Sequence, residues 1–172
     1  MKKHLAAIVC GFGAGVMQVV PVAKSFTCCL IIPFAVFIAI ILDRKANNIP
    51  DNELTETKKG VTVGIFTGLF AAFFGSFFEI FITFITKNND IIAAFPQLQD
   101  MINSFPFDEN MKKDVIDLFQ FIIDDIKNHG FSLLYASSVI VNNFIVNTIF
   151  GLLGGLISVQ IINSRISKMN KM

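Results

Sequence analysis

Glu79 stands alone in a long apolar run and is the residue of this sequence best suited to chemistry. The run covers residues 60–86, and Glu79 is its single ionisable side chain. A carboxyl group at membrane depth faces protein or a polar cavity, where it can exchange a proton or a cation. The alternative is structural: Glu79 stays protonated as a hydrogen-bond donor or reaches the membrane surface.

Three asparagines in the last apolar segment are the predicted partners of Glu79. A loop on one side of the membrane requires the two segments that it connects to run antiparallel. Asn142 and Asn143 then lie near the level of Glu79. Asn147 lies one turn further along, on the same helix face as Asn143. The sequence therefore predicts an intramembrane polar cluster of Glu79, Asn142, Asn143 and Asn147.

Other reactive residue types form no recognisable site. The three cysteines and two histidines lack a zinc-binding spacing, and no phosphate-binding loop or basic aromatic patch occurs. His129 beside Asp124 and Asp125 is the one local cluster of a histidine with acids, and such residues at a helix end are ordinary surface. We predict no catalytic residue, no metal, no cofactor and no nucleic-acid partner, and the protein is predicted not to be an enzyme.

The elements that would position these residues are membrane-spanning helices. Hydrophobic residues make up 53% of the chain and charged residues only 16%, and the mean hydropathy is +0.65. Four apolar segments are candidate spans, at about residues 5–21, 27–42, 60–86 and 131–162. The first two reach only about 24 Å, so they either cross a thinned membrane or form a re-entrant hairpin.

The orientation follows from the basic residues. Nine Lys and Arg residues lie on the side of the two termini and five on the other side, which predicts that both termini and the loop at 43–59 are cytoplasmic. The loop at 87–130 has eight acids and four lysines, a net charge of −4, and is placed outside. The predicted location is the cell (inner) membrane.

The outer loop is predicted to form two helices. The first covers residues 91–104, with Pro96 and Pro106 as breaks. The second starts after an N-cap at Asp108, ends near residues 128–130 and is amphipathic. Its apolar face consists of Val115, Leu118, Phe119, Ile122 and Ile126. Two interpretations of that face remain open. It packs on the helix bundle or lies in the lipid headgroup layer, or else it binds a partner.

Small residues repeat every three or four positions in three of the spans, which favours close helix packing in lipid. This predicts a compact bundle or a dimer joined through these faces. The predicted packing residues are Gly11, Gly15, Gly60, Gly64, Gly68, Gly75, Gly151 and Gly155.

The order of parts resembles an uncharacterised domain-of-unknown-function family of small four-helix bacterial inner-membrane proteins. The resemblance is carried by the paired short spans, Lys58-Lys59-Gly60, the acidic outer helices from Asp90 to Asn128, and the stretch from Phe150 to Gly155. It implies a fold and a membrane location, and no activity.

The expected fold is all-α: a single membrane domain over residues 1–172, built as an integral membrane four-helix bundle with an extracytoplasmic amphipathic helical hairpin. Two functions remain open. The protein is a non-enzymatic accessory or self-associating protein whose partners are the lipid bilayer and either a second copy or another membrane protein. Alternatively, it is a small transporter or channel component that uses Glu79 as a proton or cation site.

Overall fold

All regular secondary structure in the residues that the structure describes is helical, and no strand occurs among them. A computed structural model describes residues 4–170, apart from the side chain of Cys28. Lys2, Lys3 and Lys171, which contribute to the predicted orientation, lie outside this range. The helices are α1 (Leu5–Gln18), α2 (Pro21–Lys24), a π-helical turn (Thr27–Ile31), α3 (Ile32–Ala46), α4 (Thr57–Thr86), α5 (Asp90–Ser104), α6 (Glu109–His129) and α7 (Leu133–Met169).

The chain divides into two compact units. The first unit is Met1–Phe78 together with Ile140–Met172, and the second is Glu79–Val139. Helices α4 and α7 each contribute to both.

Two helices, α4 with 30 residues and α7 with 37, are long and apolar enough to cross a membrane. Helix α1 is apolar but shorter, with 14 residues. Three observed helices extend beyond the predicted spans. Helix α3 continues to Ala46, α4 begins at Thr57 and α7 continues to Met169. A helix does not end where hydropathy falls, since its polar ends still form backbone hydrogen bonds.

The π-helical turn explains how the second apolar segment accommodates a proline. Pro33 has no N–H, and its ring crowds the carbonyl four residues earlier. The preceding turn is wider than an α-helical turn: the Ile31 N–H donates to the Phe26 carbonyl at 3.2 Å, five residues back. The 20 residues from Thr27 to Ala46 therefore form one helical segment.

Glycines bring the helices of the first unit into backbone contact. A Cβ atom built on Gly11 would lie 2.9 Å from the Thr67 carbonyl oxygen, and one on Gly155 would lie 2.5 Å from the Gly60 carbonyl oxygen. A Cβ on Gly64 would clash with the carbonyl oxygen of Gly151. These glycines therefore lie at close contacts between helices of the first unit.

The first unit buries small, polar and large apolar residues together and also exposes a row of apolar residues on α7. Thr67, Ala71 and Ser158 are buried, as are the glycines that the helices share. By contrast, a row on α7 with one residue every four positions is 42–57% exposed: Val141, Ile145, Ile149, Leu153, Ile157 and Ile161. The core also contains large apolar side chains, among them Ile32, Val36 and Ile40, so apolar residues occur both inside the unit and on its surface.

The second unit contains the two predicted outer helices, and their ends are set by local signals. Asn89 caps α5 by accepting a hydrogen bond from the Ile92 N–H at 3.0 Å, and Asp108 caps α6 as predicted. Gly130 ends α6 with φ of 76°, a conformation that favours glycine.

The prediction that Pro96 breaks the first outer helix is wrong, because α5 continues through it. Proline removes one backbone hydrogen bond. The helix continues because Asn89 caps it and because it is packed on both sides of the proline. Before the proline, Ile92 packs on the apolar cluster of the second unit, and after it Ile102 is buried.

The apolar face of α6 packs within the second unit. Ile122 and Ile126 are buried against Tyr135 of α7, with Ile91 and Ile92 of α5 beside them. The predicted face is wrong in detail: Leu118 is 50% exposed and Ile123, which the prediction omitted, is 2% exposed. Most of this face is therefore covered by the protein itself.

The glycines of α1 provide a matched test of close packing. A Cβ on Gly15 would lie 2.8 Å from Phe74 Cβ and 2.9 Å from the Gly75 nitrogen, whereas one on Gly13 would have nothing within 4 Å. We expect Gly15→Ala to destabilise the protein by about 1–3 kcal/mol through overpacking, because backbone atoms cannot move aside. Gly13→Ala should be neutral or slightly stabilising, since alanine favours helices. Thermal unfolding in detergent measures both, and equal midpoints would contradict the packing of α1 on α4.

Candidate functional site

Glu79 has a tyrosine as its partner. The Tyr135 hydroxyl donates to Glu79 Oε1 at 3.4 Å, and the hydroxyls of Tyr135 and Thr83 lie 3.3 Å apart. Glu79 is half-buried, whereas Thr83 and Tyr135 are buried. We call Glu79, Thr83 and Tyr135 the Glu79 cluster.

Two helices position this cluster. Glu79 and Thr83 are one turn apart on α4, so they share a face, and Tyr135 lies in the first turn of α7. The ring of Tyr135 is held by Ile122 and Ile126 of α6. A carboxylate in contact with a hydroxyl, with a second hydroxyl behind it, can accept a proton or contribute oxygen ligands to a cation.

The three predicted asparagines belong to the first unit, and two of them donate side-chain hydrogen bonds there. Asn143 Nδ2 donates to Ser76 Oγ at 3.1 Å, and Asn147 Nδ2 donates to Gln18 Oε1 at 3.2 Å. Asn142 is exposed. The described hydrogen bonds thus tie Asn143 to α4 and Asn147 to α1.

Gln18 joins three helices. It accepts from Asn147 of α7 and donates through Nε2 to the carbonyl of Ala71 of α4 at 3.2 Å. Gly75 leaves room for the amide, since a Cβ there would clash with it. Both side-chain amides are at least 95% buried. Because both the Gln18 oxygen and nitrogen are bonded, this contact orders the helices instead of forming an open polar path.

A second polar cluster stabilises the connection between α3 and α4. Buried Arg44 donates to the Thr55 hydroxyl and to the carbonyls of Pro50 and Glu53, both at 2.8 Å. Asn163 of α7 exchanges two hydrogen bonds with the backbone of Thr55, at 2.8 and 2.9 Å. We call Arg44, Thr55 and Asn163 the loop clasp.

An ion pair between buried Asp43 and partly exposed Lys59 lines a cavity of about 350 Å³. Asp43 and Lys59 are 2.8 Å apart, and His4, Glu56 and Lys58 complete the charged part of the lining. Charges of both signs are therefore present. No group of three or more His, Cys, Asp or Glu side chains suited to a metal ion occurs within residues 4–170.

Sequence reasoning missed both Tyr135 and the loop clasp. A buried tyrosine usually finds a hydrogen-bond partner, and Tyr135 is the one tyrosine of the chain, which was the available signal. The loop clasp had no such signal, because charged residues between two apolar segments are usually solvated.

The fold and these clusters define an all-helical protein with two helices able to span a membrane. Comparison of the chain with protein-family models, curated proteins and solved structures found no match. The family resemblance stays a prediction.

The Glu79 cluster can be tested by fluorescence, because the chain has one tyrosine and no tryptophan. Tyrosine emission therefore reports Tyr135 alone. We expect Glu79→Gln to change the emission intensity, since the carboxylate acceptor of the phenol is replaced by an amide. Glu56→Gln, in the other unit, is the control. Emission unchanged by Glu79→Gln would mean that the contact does not form.

Proposed function

We propose that the protein is a multi-pass integral membrane protein of the cell (inner) membrane that acts by association and not by catalysis. The observation that carries this proposal is the distribution of side chains in the first unit. Glycine, alanine, threonine and amide groups lie inside beside a cluster of isoleucine and valine, and a row of valine, isoleucine and leucine on α7 faces outward. A surface of this kind suits lipid, whereas soluble monomers rarely expose continuous apolar patches of more than a few hundred Å².

The proposed arrangement is a four-helix bundle with both termini in the cytoplasm. Its spans are α1, the segment from Thr27 to Ala46, α4 and α7. The second of these reaches about 30 Å, enough for a bilayer core, whereas α1 reaches about 21 Å and needs a locally thin membrane. The α5–α6 hairpin is proposed to be extracytoplasmic, since its acidic charge gives it no cytoplasmic preference.

Association is proposed to use the outward apolar side chains. The glycines at positions 60, 64, 151 and 155 already contact each other between α4 and α7, so a partner cannot use them without opening the unit. The exposed row on α7 offers a second copy or another membrane protein a long surface in the bilayer. Packing and interhelical hydrogen bonds drive such contacts in lipid.

The association proposal is tested by the mass and composition of the particle in native lipid discs. We expect either a homo-oligomer or a stoichiometric complex with a second membrane protein. A monomeric particle without a second protein, isolated under conditions that retain native lipid, would contradict the proposal. Alkaline carbonate treatment of the membranes provides the control, since an integral protein stays with the lipid.

A second candidate function is a proton or cation step at Glu79, which would make the protein a small transporter or channel component. The Glu79 cluster favours it, because Tyr135 and Thr83 supply hydroxyl oxygens beside the carboxylate. An ionisable group at membrane depth is a functional hypothesis by default.

Flux measurements in liposomes separate the two functions. If Glu79 carries the transport step, Glu79→Gln lowers proton or cation flux to the level of empty liposomes, while Glu56→Gln leaves it unchanged. Equal thermal unfolding midpoints for the two variants would exclude misfolding as the cause. Equal flux in the native protein and Glu79→Gln would remove transport through Glu79 from consideration.

A further inference from the structure

An amphipathic cavity lies between α3 and α7, at the end of the first unit that contains the loop clasp. Its volume is about 250 Å³. Apolar side chains from both helices form one part of the lining, and basic side chains from the helix ends form another: Phe37, Ile41, Ile162 and Ile166, then Arg44, Lys45 and Arg165. We call it the basic cavity.

The apolar and basic residues follow one another along each helix. On α3, Phe37 and Ile41 precede Lys45 toward the helix end; on α7, Ile162 precedes Arg165, and Ile166 and Met169 follow it. In the proposed membrane arrangement, this order places Phe37, Ile41 and Ile162 at acyl-chain depth and the basic groups at headgroup depth.

The charge of the basic cavity is positive. Three basic residues and one acid, Asp51, line it, which gives a net charge of +2. Within residues 4–170, neither Lys45 nor Arg165 forms an ion pair or a side-chain hydrogen bond. Both charges are therefore available to a ligand.

Arg44 adds a buried charge behind these two. It is only 7% exposed, and its described partners are a hydroxyl and two carbonyl groups, all of them neutral. The nearby acid Asp43 pairs with Lys59 instead. A buried cation without an anion is unfavourable, so an anion in the cavity would stabilise it.

We propose that the basic cavity binds the phosphate headgroup of an acidic phospholipid, with the lipid chains against Phe37, Ile41 and Ile162. This inference rests on the proposed membrane arrangement. Basic pockets between membrane helices at the cytoplasmic surface are suited to anionic headgroups. The apolar lining selects a lipid over a free phosphate ion, because a free ion would leave that surface uncovered.

The proposal is tested by lipid retention in discs of phosphatidylcholine with a minor fraction of phosphatidylglycerol. Lipid that remains after mild detergent washing is counted by mass spectrometry for the native protein and for the double variant Lys45→Gln, Arg165→Gln. Each basic group near the membrane surface contributes about fivefold in affinity, so the enrichment of the acidic lipid should fall by up to about 25-fold.

The matched control is the double variant Lys113→Gln, Lys168→Gln, which removes the same charge at exposed positions that do not line the cavity. It should retain acidic lipid like the native protein. Equal loss in both double variants would overturn the proposal, since the effect would then come from net charge. Equal retention in the native protein and the Lys45, Arg165 variant would overturn it as well.

Two further measurements separate the other outcomes. In the first, inorganic phosphate is added to the protein in discs of pure phosphatidylcholine. If phosphate stabilised the protein as much as the acidic lipid does, the cavity would be a site for a phosphate ion and not for a lipid. Resistance to alkaline carbonate is measured on the same preparations. Protein released by carbonate would refute the membrane arrangement, whereas protein that stays inserted without acidic-lipid enrichment would refute the basic cavity alone.

Discussion

The first unit depends on the close approach of α4 to the helices on either side of it. On one side, Gly11 and Gly15 of α1 bring that backbone against Thr67, Ala71 and Gly75; on the other, Gly151 and Gly155 of α7 approach Gly60 and Gly64. In the proposed lipid environment, hydrophobic burial does not drive helices together. The close contacts at small residues and the hydrogen bonds between helices would then stabilise the unit.

The polar contacts follow from this close packing. Gln18 can reach both Asn147 and the Ala71 carbonyl only because Gly75 leaves room for its amide. Two amide groups without partners would be costly in an apolar interior, and here they become specific links between α1, α4 and α7. The large apolar side chains are divided between a buried cluster that includes Ile32, Val36 and Ile40 and the outer surface.

Local signals were sufficient to predict much of the fold. The N-cap at Asp108 and the left-handed Gly130 set the ends of α6, and both are short-range features that a sequence displays. The spacing of the glycines predicted which faces pack. Pro96 shows the limit of such rules, since a proline's effect depends on how well the helix is held on both sides of it.

Partner choice was less predictable, because it depends on contacts between distant parts of the chain. The sequence indicated that Glu79 needs a polar neighbour, and asparagines at a similar depth in the membrane were the predicted ones. The neighbour described in the second unit is Tyr135, whose position is set by α6 packing on α7. Arg44 belongs to the segment predicted to be a cytoplasmic loop, yet it is buried. It donates hydrogen bonds to the carbonyls of Pro50 and Glu53, which follow it in that segment.

The separation of these partners along the chain has a consequence for the order of synthesis. Asn147 lies 129 residues after Gln18, and Asn163 lies 108 residues after Thr55. A ribosome makes the chain from its N-terminus, so α1 and the connection between α3 and α4 leave it long before their partners on α7 exist. Until then, other groups such as water must satisfy those polar groups, and α7 is the element whose synthesis completes the first unit.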